Sequence, residues 1–293
     1  MDSLLLIVGI LFLIWAMGRG QRSTSATTDS VDTSALINTQ STSSKRAVCL
    51  GINYIGTSNE LRGCISDSKR VHGFLASKGF DVARLNDTTS VKPTAANVMR
   101  AMDWLVKEAR PGDQLIFSYS GHGSTTWDGS GDEVAREDQT ILPLDFMASG
   151  YILDDDVYKH LVVPLANKGA RLTCIFDCCY SGSAADLNYR YSTDLKQTTV
   201  STRPAINADV LYIGASSDEQ VSADLTNTST QESFGVLTKC LFDTLDSTPV
   251  LTYSQLISSL ASKYAQYRVD QYPSLCSMTP LDMGANFSLT SPP

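Results

Sequence analysis

Basic side chains are in short supply in this chain: 23 Lys and Arg stand against 31 Asp and Glu over 293 residues, a formal charge of −8. Nucleic acid needs clustered positive charge to displace its counterions, so it is excluded as the main partner. Cysteine is sparse and scattered, with seven residues in all. That excludes a disulfide scaffold, and the odd count leaves at least one thiol outside any bridge, so the protein is read as mostly reduced. Paired C-x-x-C spacings are missing around Cys174, Cys178 and Cys179, and adjacent cysteines close a zinc tetrahedron poorly. Self-similarity at solenoid spacing is missing too. Apolar content is ample: 42% hydrophobic residues suffice for a core and exclude a disordered chain.

The amino-terminal part reads differently from the rest. Residues 4–17 are an uninterrupted apolar run broken only by the neutral Gly9. As a helix the run would be about 21 Å long, against about 30 Å of bilayer core. A signal peptide would suit Ala16-Met17-Gly18 as a cleavage site, but only Asp2 precedes the run, where a positive start is usual. Arg19 and Arg22 on the far flank favour an anchor that keeps the carboxyl side in the cytoplasm. Residues 23–44 hold 13 Ser or Thr and no aromatic, the composition of a flexible tether. The expected organisation is a hydrophobic segment over 1–20, a tether over 21–44, and one folded domain over 45–293.

From Lys45 onward, short β-branched runs alternate with amphipathic stretches. Strands are expected over 47–52, 80–85, 114–120, 170–177 and 209–215. Helices are expected over 64–76, 94–109, 232–246 and 253–267, with a short one over 157–163. Strands spaced by helices of this length imply βαβ units and a mainly parallel sheet covered on both faces. Leu115-Ile116-Phe117 and Cys174-Ile175-Phe176 suit central, doubly buried strands.

Open parallel sheets place ligands at the carboxyl ends of their strands. There the chain carries Ser118-Tyr-Ser-Gly-His122-Gly123-Ser124 and Phe176-Asp177-Cys178-Cys179-Tyr180-Ser181-Gly182, with His122 and Cys179 57 positions apart. A thiol attacks a carbonyl as thiolate, so it needs an imidazole to stabilise that anion and later to protonate a leaving amine. Glycines beside His122 admit substrate backbone, and the Gly123 and Cys179 N–H groups are candidate oxyanion donors.

These motifs, with Gly51-Ile-Asn-Tyr-Ile-Gly56, Leu61-Arg-Gly-Cys-Ile-Ser-Asp67 and Gly150-Tyr-Ile-Leu-Asp-Asp155, resemble the metacaspases, caspase-like cysteine peptidases. The resemblance spans essentially all of the chain from Lys45. It implies a caspase-like three-layer α/β/α sandwich, with His122 and Cys179 as the catalytic dyad. The short connection from Cys179 to the fifth strand resembles type I members. Three departures stand out: Cys178 where many relatives have Ser, Tyr180 where many have His, and a hydrophobic segment with a tether in place of a Pro-rich or zinc-finger prodomain.

A caspase holds a substrate aspartate with arginines. Beside this dyad stand Asp67, Ser120 and Asp177 instead. Buried carboxylates pair with a cationic side chain and repel an acidic one, so cleavage is expected after Arg or Lys; the family resemblance implies the same P1 role for these three residues. The other reading is that Asp67 caps its helix and Asp177 orders its loop. Asp138, Asp154, Asp155 and Asp186 form a second acidic set. The run Asp154-Asp155-Asp156 reads by itself as a helix cap, while hard oxygens from separate loops also suit Ca²⁺. The resemblance implies calcium at these four positions. Arg190, Lys196 and Arg203 lie on the loop after the nucleophile as candidate self-cleavage sites, although Arg203 precedes Pro204, a poor leaving residue.

The resulting expectation is a monomeric, calcium-stimulated cysteine endopeptidase acting on Arg/Lys-containing proteins or peptides through a thioester, held at a membrane by residues 4–17 with its peptidase domain in the cytoplasm. A legumain-like Asn-specific peptidase and an inactive caspase-fold scaffold are the alternatives.

Overall fold

The computed structural model describes residues 31–127, 137–181, 185–201, 203–215, 224–226, 233–248, 250–269 and 271–290. Along the chain, β1 (Lys45–Gly51) leads through α1 (Cys64–Ser77) to β2 (Asp81–Asn86), then through α2 (Ala95–Val106) to β3 (Gln114–Ser120). A small antiparallel sheet follows, made of β4 (Gly123–Trp127), β5 (Glu137–Ile141) and β6 (Ile152–Leu153), with α3 (Phe146–Ser149) between the last two. The short helix expected over 157–163 is longer and irregular: α4 (Asp154–Val157) passes into a π turn over Tyr158–Val162 and a 3-10 turn over Val163–Leu165. Pro164 has no N–H to continue an α-helix, which accounts for the stop.

Next come β7 (Arg171–Asp177), β8 (Tyr189–Tyr191), β9 (Gln197–Thr199) and β10 (Asp209–Gly214). The hairpin β11 (Asp224–Thr226) and β12 (Ser233–Gly235) runs directly into α5 (Val236–Ser247). The pair β13 (Leu251–Thr252) and β15 (Asn286–Phe287) brackets α6 (Tyr253–Gln266) and β14 (Ser274–Ser277).

The main sheet has eight strands in the order β2-β1-β3-β7-β10-β14-β8-β9. The first five are parallel and the last three add antiparallel. Side chains of a strand alternate between faces, and here each face has its own core. Val48, Leu50, Leu115, Phe117, Leu172, Cys174 and Phe176 pack with α2 and the turn after α4. Ala47, Cys49, Ile116, Ile175 and Ile213 pack with α1, α5 and α6. The expected caspase-like sandwich with a mainly parallel sheet is what the chain forms. Burial on both faces explains the continuous apolar runs of β3 and β7.

Two amino-terminal expectations meet the structure differently. Among the described residues no helix is long and apolar enough to cross a membrane. The expected membrane-anchored placement is therefore corrected; the apolar run at 4–17 lies outside the described residues. Of the Ser/Thr-rich stretch expected as a tether, the part from Asp32 on is packed against the domain. The Asp32 carboxylate accepts hydrogen bonds from Ser34 and from the Ser90 N–H, a 3-10 turn forms over Ser34–Asn38, and Ile37 is buried. Two apolar side chains, Leu36 and Ile37, packed on the core and hydrogen bonds from Arg84, Ser90 and Val91 order it.

Candidate active site

Strands β3 and β7 are neighbours, and their register matches Ser120 with Asp177. His122 and Cys179 each lie two residues beyond that matched pair, so the two side chains emerge level at the carboxyl end of the sheet. Gly123 shows how closely the two segments approach: a Cβ there would stand 2.1 Å from the Cys179 carbonyl oxygen and 3.2 Å from Cys178 Sγ. Only a residue without a side chain permits that approach.

His122 is held from three directions. Its backbone N–H donates to the Tyr54 hydroxyl at 3.1 Å, its carbonyl accepts from the Tyr119 hydroxyl at 2.7 Å, and its ring lies 4.8 Å from that of Tyr54. Nε2 stands 2.8 Å from the Asn59 carbonyl oxygen. A carbonyl only accepts, so Nε2 carries the hydrogen and Nδ1 of the neutral ring keeps its lone pair. Sequence reading missed Asn59, because the group that matters is a backbone carbonyl and any residue type supplies one.

The nucleophile turn is anchored on β10. The Tyr212 hydroxyl donates to the Ser181 carbonyl at 2.7 Å, and the Ala215 N–H donates to Ser181 Oγ at 3.0 Å. Tyr180, directly after Cys179, has φ +50°, a conformation that costs a bulky residue of order 1–3 kcal/mol and recurs at functional sites. Of the seven cysteines only Cys179 is not buried. Burial pushes the neighbouring Cys178 thiol well above its ordinary value, with Cys179 and Asp177 adding to the shift, so Cys178 stays protonated and inert.

The three residues expected at the P1 subsite converge under this rim. Asp67, Ser120 and Asp177 are all buried. Ser120 Oγ donates to Asp67 Oδ2 at 2.7 Å, and the Gly235 N–H donates to the same carboxylate. Asp177 Oδ2 accepts the Thr238 N–H at 2.7 Å, in the first turn of α5. Asp67 lies in the first turn of its own helix, while Asp177 caps a helix distant in sequence. Between the two carboxylates sits Gly235, where a Cβ would lie 2.2 Å from Asp177 Oδ2. Gly235→Ala should therefore push Asp177 off the α5 amino terminus and destabilise the fold by about 1–3 kcal/mol. A thermal melt checks this, and an unchanged Tm would contradict the crowding argument.

The second acidic set is spread over β5, α4 and the segment after the nucleophile. Asp138, Asp154 and Asp186 are buried and Asp155 is half-buried. Asp154 accepts the Gln139 N–H at 2.6 Å and the Asp155 N–H at 3.0 Å. Asp155 and Asp186 both pair with Arg203. As the side chains stand, no group of three acidic, His or Cys residues among the described ones is arranged to hold a metal ion. The triple-aspartate run, expected to precede and cap a helix from Val157, instead forms the first turn of α4 with Leu153 at the N-cap, and Asp156 accepts the Leu153 N–H at 3.4 Å.

Comparison with known proteins bears on the family and the fold. The family model for the metacaspase, peptidase C14 domain matches residues 45–188. Metacaspase-3 of Trypanosoma brucei brucei is 38% identical over 266 residues, covering 84% of this chain and 74% of that protein. Metacaspase-1 of Kluyveromyces lactis is 50% identical over 161 residues, covering 53% of this chain; this chain spans only 37% of the yeast protein's length. The crystal structure of Caspase-1 from Spodoptera frugiperda superposes with a TM-score of 0.52 at 14% identity, over 80% of this chain and 85% of that one, a likeness of fold alone.

Proposed function

The chain belongs to the metacaspase family and is a cysteine peptidase, and from that premise we propose that it is a monomeric, calcium-stimulated endopeptidase cutting proteins or peptides after Arg or Lys. One observation carries the assignment of the nucleophile: the sole non-buried thiol, Cys179, emerges level with His122 at the carboxyl end of adjacent parallel strands. In the proposed reaction the Cys179 thiol gives its proton to His122 Nδ1 and the thiolate bonds to the scissile carbonyl carbon. The N–H groups of Gly123 and Cys179 hold the resulting oxyanion. The C–N bond then breaks, and the amine leaves with the proton from His122. Water attacks the thioester, releasing the carboxylate and restoring the thiol.

Substrate preference rests on the two carboxylates of Asp67 and Asp177 beneath this rim. A guanidinium brought up to this pair of carboxylates meets a matching charge and acceptors, whereas a substrate carboxylate meets repulsion in a poorly hydrated space. For calcium, the donor set of Asp138, Asp154, Asp155 and Asp186 is all hard oxygen, and two of the four already pair with a cation of the protein's own, Arg203. The donor chemistry thus suits the ion, and the side chains would have to close around it. Bound calcium would supply positive charge that draws β5, α4 and the Asp186 segment together.

Two peptide substrates decide the reading. The purified chain should turn over an Arg-terminated fluorogenic peptide about 100-fold faster or more than its Asp-terminated counterpart; faster turnover of the Asp peptide would sink the specificity. Strong calcium chelation should lower the Arg rate, and a rate indifferent to the chelator removes the calcium requirement.

A further inference from the structure

The acidic set already holds a cation. Arg203 Nη2 donates to Asp155 Oδ1 and to Asp186 Oδ2, the latter at 3.2 Å. Its guanidinium carbon lies 4.7 Å from the centre of the Tyr158 ring, a stacking that leaves the planar group facing both carboxylates. The Asp186 side chain is only 2% exposed, and a carboxylate so far from water needs a positive partner to stay ionised. The segment that carries Arg203 is also tied to the segment that carries Asp186. Asn188 Nδ2 donates to the Arg203 carbonyl at 2.7 Å, and the Val200 N–H donates to the Asn188 carbonyl at 3.0 Å.

We propose that Arg203 is a built-in competitor of calcium. It bridges Asp155 and Asp186 while no divalent ion is bound, and it must swing out before an ion can take the same two carboxylates. The proposal rests on the calcium reading above and adds to it a residue that sets the calcium threshold. A guanidinium and a hard divalent ion cannot share one pair of carboxylate oxygens, so the two occupants exclude one another and the ion's apparent affinity drops by the cost of displacing the arginine. A monovalent ion brings no more charge than the guanidinium and gains nothing by displacing it. Release of Arg203 would also free its guanidinium from the Tyr158 ring, so that calcium entry and loss of that stacking are one event.

Equilibrium dialysis of the full chain against calcium tests this with wild type, Arg203→Gln and Arg203→Lys. Glutamine keeps bulk but removes the charge, and should tighten calcium binding about tenfold, within the usual range of coupling between sites. Lysine keeps the charge and should stay within about threefold of wild type. Equal or weaker binding by the glutamine variant overturns the competition, because a residue that only packs would show that. If no calcium binds to any of the three, the calcium reading falls and the competition falls with it. A thermal melt covers the case in which Arg203→Gln is too unstable alone. Calcium should then restore its folding and raise its Tm more than that of wild type, and a variant that stays unfolded with calcium present also overturns the proposal.

Discussion

Cys179→Ala is expected to lower kcat/KM on an Arg-terminated peptide by about 10⁴-fold or more, the scale seen when a covalent nucleophile is removed and only substrate binding and oxyanion contacts remain. The same change should abolish labelling by iodoacetamide at neutral pH. Thiolate is the reactive form, and the other six cysteines are buried. Desolvation pushes the Cys174 and Cys178 thiols up and so keeps them protonated. Intact-mass spectrometry should find one adduct on the native wild type and none on the variant. A substantial remaining rate, or a label on Cys178 with Cys179 intact, would displace Cys179 from its role. A scaffold that had lost its chemistry would show no rate in either protein, so the experiment also disposes of the non-enzyme alternative.

Asp67→Asn should reduce kcat/KM for an Arg peptide by about 30-fold or more, because truncating one member of a desolvated charge pair costs roughly 2–5 kcal/mol. Asparagine keeps an acceptor oxygen for Ser120 Oγ and for the Gly235 N–H, which both bond to Asp67 in the native protein, so the pocket loses charge before shape. Citrulline has the outline of arginine without its charge and makes the decisive comparison. The ratio of Arg to citrulline turnover should collapse in the variant, with citrulline turnover itself little changed. A uniform drop for both peptides would mean that Asp67 supports the fold and does not read the substrate. A small Tm shift beside a large change in that ratio separates the two roles.

How far the residues alone revealed this molecule differs from element to element. The strands β1, β3, β7 and β10 were legible because parallel strands covered on both faces must be apolar at nearly every position, as Cys174-Ile175-Phe176 is. The short strands β8, β9 and β14 left no such trace. Gln197–Thr199 is exposed along its length, and an edge strand needs backbone partners and not a particular side-chain pattern. The packing of Ser34–Asn38 was hidden for a related reason, since its Ser/Thr content reads as a tether while Leu36 and Ile37 pack on the core and Ser34 bonds to Val91.

Within the site, residue chemistry alone picked out His122 and Cys179, because few side chains other than an imidazole can serve a thiol in this way. The family resemblance, and not residue type alone, singled out Asp138, Asp154, Asp155 and Asp186 as a set. Neither could supply the Asn59 carbonyl at His122 Nε2, the bare Cα of Gly235 against Asp177, or the guanidinium of Arg203 between Asp155 and Asp186. Each of those joins segments far apart in the chain through a backbone group, a missing atom or a neutralised charge. Local pattern records what a residue is and how its neighbours in the chain are spaced. Which distant group fills the last few ångströms around it is decided only when the layers close, since burial then forces each carboxylate and each N–H to find a partner or pay the desolvation cost.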